Sequence, residues 1–376
     1  MRSFRPLLKL LTVGALGRLP FITLPVAALL LVDERIGLGY AGIASGALSL
    51  GAGLIGLLVG RLLDGPRAGR VLAALTLAHI PAVAAFIAWS GTRNLAVLLP
   101  VSLAAGFTVP PVAPVVRALL AQRTDQADAT RVFAFDSIAV EIAWIGGPLL
   151  VSIAVILGGP ALAVSLSPGF AMIGVAAVYR ERPGAGRTPA VAGAWLTRRV
   201  VRLLLSFAVT GTGFRLIIIA IAAISTEQGR PDASGVLLAI WAAGGLVGGL
   251  WAARGIAAST WQIGVAQAVT LALVGIGTNS IWVTAILVFV SGVPSAPFVA
   301  ALTTLVSLNV AERAHARAFA AMQAGSTIFA AIGAAAGGEL VDRFGPASVT
   351  LPAGVLLLVS AALARVPVQP RVVTYA

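Results

Sequence analysis

The sequence predicts an all-α integral membrane protein, with twelve transmembrane helices in two six-helix halves. Three observations predict it. The 376 residues have a mean hydropathy of +1.00 and are only 10% charged, against roughly 25% in a soluble domain. Twelve apolar stretches are each long enough to cross a bilayer, which takes about 20 helical residues. The positive charges gather on one side of those stretches, as they do in cytoplasmic loops.

The spans are read at 7–31, 39–62, 71–90, 94–118, 133–158, 160–179, 201–226, 233–254, 259–278, 281–307, 318–340 and 346–364. Span one has a basic start, but its apolar run is of spanning length and no small-x-small site closes it, so it reads as an anchor rather than a signal peptide. Spans four and ten carry Pro110, Pro111 and Pro114, and Pro294 and Pro297, which free carbonyls and bend helices. Only Gly158, Gly159 and Pro160 separate spans five and six; were these one re-entrant unit, every later span would reverse direction. With the N-terminus inside, 20 of the 26 cationic residues lie in cytoplasmic segments and only Arg35, Arg93, Arg230 and Arg343 outside. Both termini are then cytoplasmic. Gly42/Gly46 and Gly56/Gly60 have the spacing for close helix packing. Trp89, Trp195 and Trp282 fit interfacial belts.

The stretch 181–200, rich in Arg, Pro and Gly, reads as a cytoplasmic linker between an N-terminal half, 1–180, and a C-terminal half, 201–376. The halves repeat. Arg131-Val-Phe-Ala and Arg317-Ala-Phe-Ala open spans five and eleven, 186 residues apart, and Gly106 and Gly292 of spans four and ten keep the same separation. Spans one and seven each hold a mid-helix arginine, Arg18 and Arg215. Gly53–Gly56 in span two matches Gly245–Gly248 in span eight. Equivalent helices six apart make a parallel repeat, with an axis along the membrane normal, as in transporters that rock one half against the other.

The loop after span two runs Gly60-Arg-Leu-Leu-Asp64-Gly-Pro-Arg67-Ala-Gly69-Arg70. It resembles the signature loop of the major facilitator superfamily, departing where Gly65-Pro66 replace one basic residue. Glu141-Ile-Ala-Trp-Ile-Gly146-Gly147-Pro148 resembles the end of a motif of that family's proton-coupled exporters, without its upstream glycine. The resemblance implies two six-helix bundles working by alternating access. It also implies that Asp64 meets the N-terminus of span eleven, and that Arg67 and Arg70 pair with acids such as Asp136 to latch a cytoplasmic gate.

Within the spans, Glu141 and the two arginines lie near the bilayer midplane, where a lone charge costs about 3 kcal/mol or more. Glu141 either carries a proton or forms a fixed ion pair, with Arg18 as the preferred partner. Arg215 has no acid in the membrane part of its half and suits an anionic substrate group or Glu141 itself. His79 is either a proton-transfer group or a neutral hydrogen-bonding residue between helices. Trp144 and Trp241 line the cavity or pack. His315 is expected in a solvated inner loop.

Other functions are excluded by what the chain lacks. The net charge of +13 is spread singly, with no basic stripe, so no nucleic acid partner is expected. There is no cysteine, hence no disulfide or thiolate metal site. Phosphate-loop, zinc-protease and nucleophile-elbow motifs are absent. No enzyme activity, cofactor or metal is expected. The expectation is a monomeric inner-membrane carrier whose partners are a small solute, protons and the lipid bilayer. Its function is proton-coupled efflux of an amphipathic or drug-like compound; the alternatives are an anionic-metabolite carrier or, from another class, a membrane enzyme or lipid-handling protein.

Overall fold

The computed structural model describes residues 5–125, 127–180, 195–230, 233–255 and 258–365; residues 181–194 of the expected linker, with Arg2 and Arg371, lie outside them. The described residues form α-helices joined by short 3₁₀ turns, with no strand. They are α1 (Arg5–Ile36), α2 (Leu38–Leu63), α3 (Ala68–Trp89), α4 (Leu95–Phe107), α5 (Val112–Arg123), α6 (Ala129–Ser165), α7 (Ser167–Arg180), α8 (Arg198–Glu227), α9 (Ala233–Ala253), α10 (Thr260–Leu273), α11 (Ile281–Gly292), α12 (Ser295–Asn309), α13 (His315–Phe344) and α14 (Thr350–Leu363). Among the described residues, ten stretches are long and apolar enough to cross a membrane, and Thr260–Ile276 is a shorter apolar helix.

Proline and glycine decide where the helices break. Expected span four is two helices, α4 and α5, parted at Thr108–Pro111, because Pro110 and Pro111 offer no N–H to continue the ladder. Span ten parts likewise into α11 and α12 at Val293-Pro294. Span five continues into the start of span six as α6, interrupted at Gly158 and at Gly159, whose φ of 78° disfavours any side chain, and the rest of span six is α7. Polar caps close other ends: Asn94 accepts from Ala96 N, and Ser259 and Gln262 form a reciprocal capping box on α10.

The chain forms two compact units, which do not follow chain order. Unit 1 is 1–120, 142–192 and 313–324. In it α1 packs on α2 and α7, α2 on α4, and α3 on α4 and α7, around Leu24, Leu31, Leu48, Phe86 and Leu98. Unit 2 is 121–141, 193–312 and 325–376. In it α8 packs on α9 and α14, α9 on α11, and α10 on α11 and α14, around Ile217, Ile221, Leu271, Val288 and Leu357. These pairs correspond, with α1, α2, α3, α4 and α7 replaced by α8, α9, α10, α11 and α14; α2 also packs on α3, and α12 on α8, α9 and α10.

The repeat extends to single atoms. In unit 1 a Cβ on Gly106 would overlap the Leu48 carbonyl, and one on Gly51 would lie 2.6 Å from the Leu103 carbonyl. In unit 2 a Cβ on Gly292 would overlap the Trp241 carbonyl, and one on Gly244 the Phe289 carbonyl. Positions in α4 and α11 differ by 186. Positions in α2 and α9 differ by 193, which corrects the match of Gly53–Gly56 to Gly245–Gly248 by one residue. Facing the crossing, not being glycine, defines equivalence: Ala52 is the counterpart of Gly245. Gly42 and Gly46 are a second correction. Nothing lies within 4 Å of a Cβ built on either, because α2 turns Ala41, Ala44 and Leu48 inward instead.

Candidate functional site

The first polar cluster is in unit 1, at the start of α13. Asp64 ends α2, and its Oδ1 accepts from the backbone N–H groups of Ala316 (2.8 Å) and Arg317 (3.3 Å). Arg317 Nε lies 3.0 Å from its Oδ2, and both side chains are buried. The carboxylate thus occupies the positive end of a helix from outside that helix. Glycine makes the approach possible: Cβ atoms on Gly60 and Gly56 would stand 3.1 Å from Arg317 Cβ and 3.3 Å from Ala320 Cβ.

Arg67 and Arg70 are exposed and make no ion pair among the described residues. The cation that meets Asp64 is Arg317, a residue the sequence marked only as the opening of a repeat. Asp136 is buried in the piece of α6 that belongs to unit 2. His315, expected in solvent, is fully enclosed as the first residue of α13, tilted against Phe319 with ring centroids 5.9 Å apart. The cause is that α13 begins three residues earlier than expected span eleven.

The second cluster is in unit 2. Glu141 lies over Gly245 of α9: a Cβ there would stand 3.0 Å from the Glu141 carboxyl carbon and Oε1, and 3.1 Å from Ser295 Oγ. Any larger residue at 245 would displace the carboxylate. One turn further along α9, Gly249 receives Ile138 of α6 in the same way. One turn back stands Trp241, whose ring meets Phe214 edge-on, with centroids 5.3 Å apart and planes at 85°. Its Nε1 is buried with no acceptor among the described residues.

Arg215 follows Phe214 on α8. Thr212 Oγ1 donates to the Phe329 carbonyl of α13 at 3.0 Å, Gly213 abuts Leu357 of α14, and Phe214 meets α9. At 100° per residue, Arg215 projects into the sector between α9 and α13. It is half-buried, and neither it nor Glu141 has a hydrogen bond or ion pair among the described residues.

Arg18 and His79 are in unit 1, so Arg18 and Glu141 belong to different units. Arg18 is buried, its guanidinium folded back over Gly14. His79 is fully enclosed between Thr108 and Ser167, with Nδ1 and Nε2 each 2.9 Å from a hydroxyl. Thr108 spends its own proton on the Ala104 and Ala105 carbonyls, so it accepts from Nδ1–H and leaves Nε2 to accept from Ser167. That assignment follows from the network and is the neutral imidazole. Trp144 is 47% exposed on α6.

Sequence reading placed Gly245 only in a repeat, and missed Ser295 and Phe214. Their only signals were a glycine-rich α9 and the serine after the Val293-Pro294 break.

Among the described residues, long apolar helices repeated about glycine crossings carry charged side chains inside their spans. No family model and no curated protein sequence matches the chain. Solved structures do. A bacterial homologue of the iron transporter ferroportin, in its outward-facing state, aligns with a TM-score of 0.77 at 17% identity, covering 96% of this chain and 99% of its own. The human organic anion transporter MFSD10 (TETRAN) aligns at 0.70 and 14%, covering 97% and 100%. The major facilitator superfamily proton:xylose symporter XylE aligns at 0.72 and 14%, covering 95% of each. The chain has the major facilitator fold.

Proposed function

We propose that the protein is a secondary transporter that moves a small solute across the cell membrane by alternating access. The reading includes twelve crossings with both termini cytoplasmic, span five ending at the Gly158–Gly159 break and span six running from the end of α6 through α7. The preferred activity is proton-coupled export of a small amphipathic compound. Glu141 is the proton carrier, and the single observation that supports this is its carboxylate, inside the apolar helices, beside Gly245 and without an ion pair among the described residues. A carboxylate there is stable when protonated or when water reaches it, and alternating access supplies the two conditions in turn. Asp64, Gly60 and Arg317 form the gate loop contact at the cytoplasmic side. The latch is held by polar contacts, two N–H bonds and an ion pair to one carboxylate.

Arg215 favours a second reading, an anion carrier of the same fold. One experiment separates the two. Proteoliposomes with an imposed pH gradient and an internal pH dye are screened with cationic amphiphiles and anionic metabolites. Substrate-dependent proton movement that is lost in Glu141→Gln is the expected result. Solute flux without proton movement, unchanged in Glu141→Gln, would make the protein a facilitator and reduce Glu141 to packing.

A further inference from the structure

We infer that unit 2 holds a binding site for a small zwitterion with an aromatic body, of the charge pattern of an aromatic amino acid. The inference rests on the transport reading above and specifies its substrate class. Glu141 takes the ammonium. The Arg215 guanidinium and the Trp241 indole N–H take the carboxylate. The ring of the ligand lies against Trp241 and Phe214.

Glu141, Arg215 and Trp241 Nε1 belong to the same compact unit. Glu141 packs on Gly245, and Trp241 stands one turn away on the same stripe of α9, about 6 Å along the helix. Phe214 ties Trp241 to α8, and Arg215 is the next residue, turned into the sector between α9 and α13. Two opposite charges therefore flank one aromatic pair without forming an ion pair with each other among the described residues. The Trp241 indole N–H of that aromatic pair is buried without an acceptor among the described residues. Each such group is costly in an apolar setting until a partner arrives.

Ligand classes differ in how many of these groups they satisfy. A cation satisfies Glu141 and leaves Arg215 and the indole N–H. An anion does the reverse. A zwitterion satisfies all three and brings no net charge into the membrane. Guanidinium and carboxylate match geometrically as a two-bond pair.

The test uses the full chain in lipid nanodiscs and three probes with the same ring: L-phenylalanine, phenethylamine and 3-phenylpropionate. Equilibrium binding at neutral pH is expected to favour phenylalanine about tenfold or more over either single-charge analogue, one charge-assisted contact being worth about a factor of ten. Arg215→Gln brings phenylalanine down to the level of phenethylamine, and Glu141→Gln brings it down to that of 3-phenylpropionate. Trp241→Phe, which keeps a ring and removes the N–H, weakens phenylalanine and 3-phenylpropionate but not phenethylamine. The wild-type ranking needs no variant to fold. Equal binding of the three, no binding of any, or tightest binding of a single-charge probe overturns the inference. Proton movement driven by phenethylamine or 3-phenylpropionate alone overturns the zwitterion and leaves transport standing. Selective phenylalanine binding without flux of any solute keeps the site and removes transport.

Discussion

Asp64 shows how much one side chain decides. It replaces the missing partners of two N–H groups at the start of α13 and neutralises Arg317, with both side chains buried. Breaking a buried ion pair by removing one member costs about 3 kcal/mol. Asp64→Ala is therefore expected to lower the thermal unfolding midpoint in detergent, and the double variant Asp64→Ala with Arg317→Gln to lower it by less than the sum of the single changes. Strict additivity in that cycle would mean the two side chains do not interact. Asp64 was legible from its loop motif. Arg317 was not legible as its partner, because that pairing needs residues more than 250 positions apart to meet.

At the scale of elements, glycine sets the distance between helices. α9 lies on α11 with Gly244, Gly248 and Gly292 at the crossing, and a Cβ on Gly248 would overlap the Val293 carbonyl. Backbone cannot move aside as a side chain can, so Gly248→Ala is expected to destabilise by about 1–3 kcal/mol, as overpacking does. Gly46→Ala, with nothing near its Cβ, is expected to leave the melting midpoint within a degree or two of wild type. Equal effects from both, read by the same melt, would show that helix propensity and not the crossing governs these positions. Composition alone does not separate the two glycines, since both lie in small-residue runs of the same density.

For the whole molecule the open quantity is the number of crossings. The chain has no cysteine, so a single introduced thiol reports its own side. Arg230 follows α8 and Arg254 follows α9, and both are exposed. An impermeant maleimide added to intact cells is expected to label Arg230→Cys and not Arg254→Cys. The opposite pattern would mean that spans five and six make one re-entrant element and that every later helix runs the other way.

The sequence by itself determined the solvent, the secondary structure and the repeat. Apolar length demands helices in a bilayer because every backbone group must be satisfied within its own segment, and that is a local rule readable residue by residue. The helix breaks at Pro110, Pro294 and Gly159 are local for the same reason. What only the tertiary structure decided is which polar groups share a neighbourhood. Asp64 reaches α13, Glu141 lies on Gly245, and Trp241 is held beside Phe214 and Arg215. These meetings depend on the facing of each helix, set by close glycine crossings. A shift of one residue, from an offset of 192 to one of 193, turns a helix by about 100° and changes every partner on it.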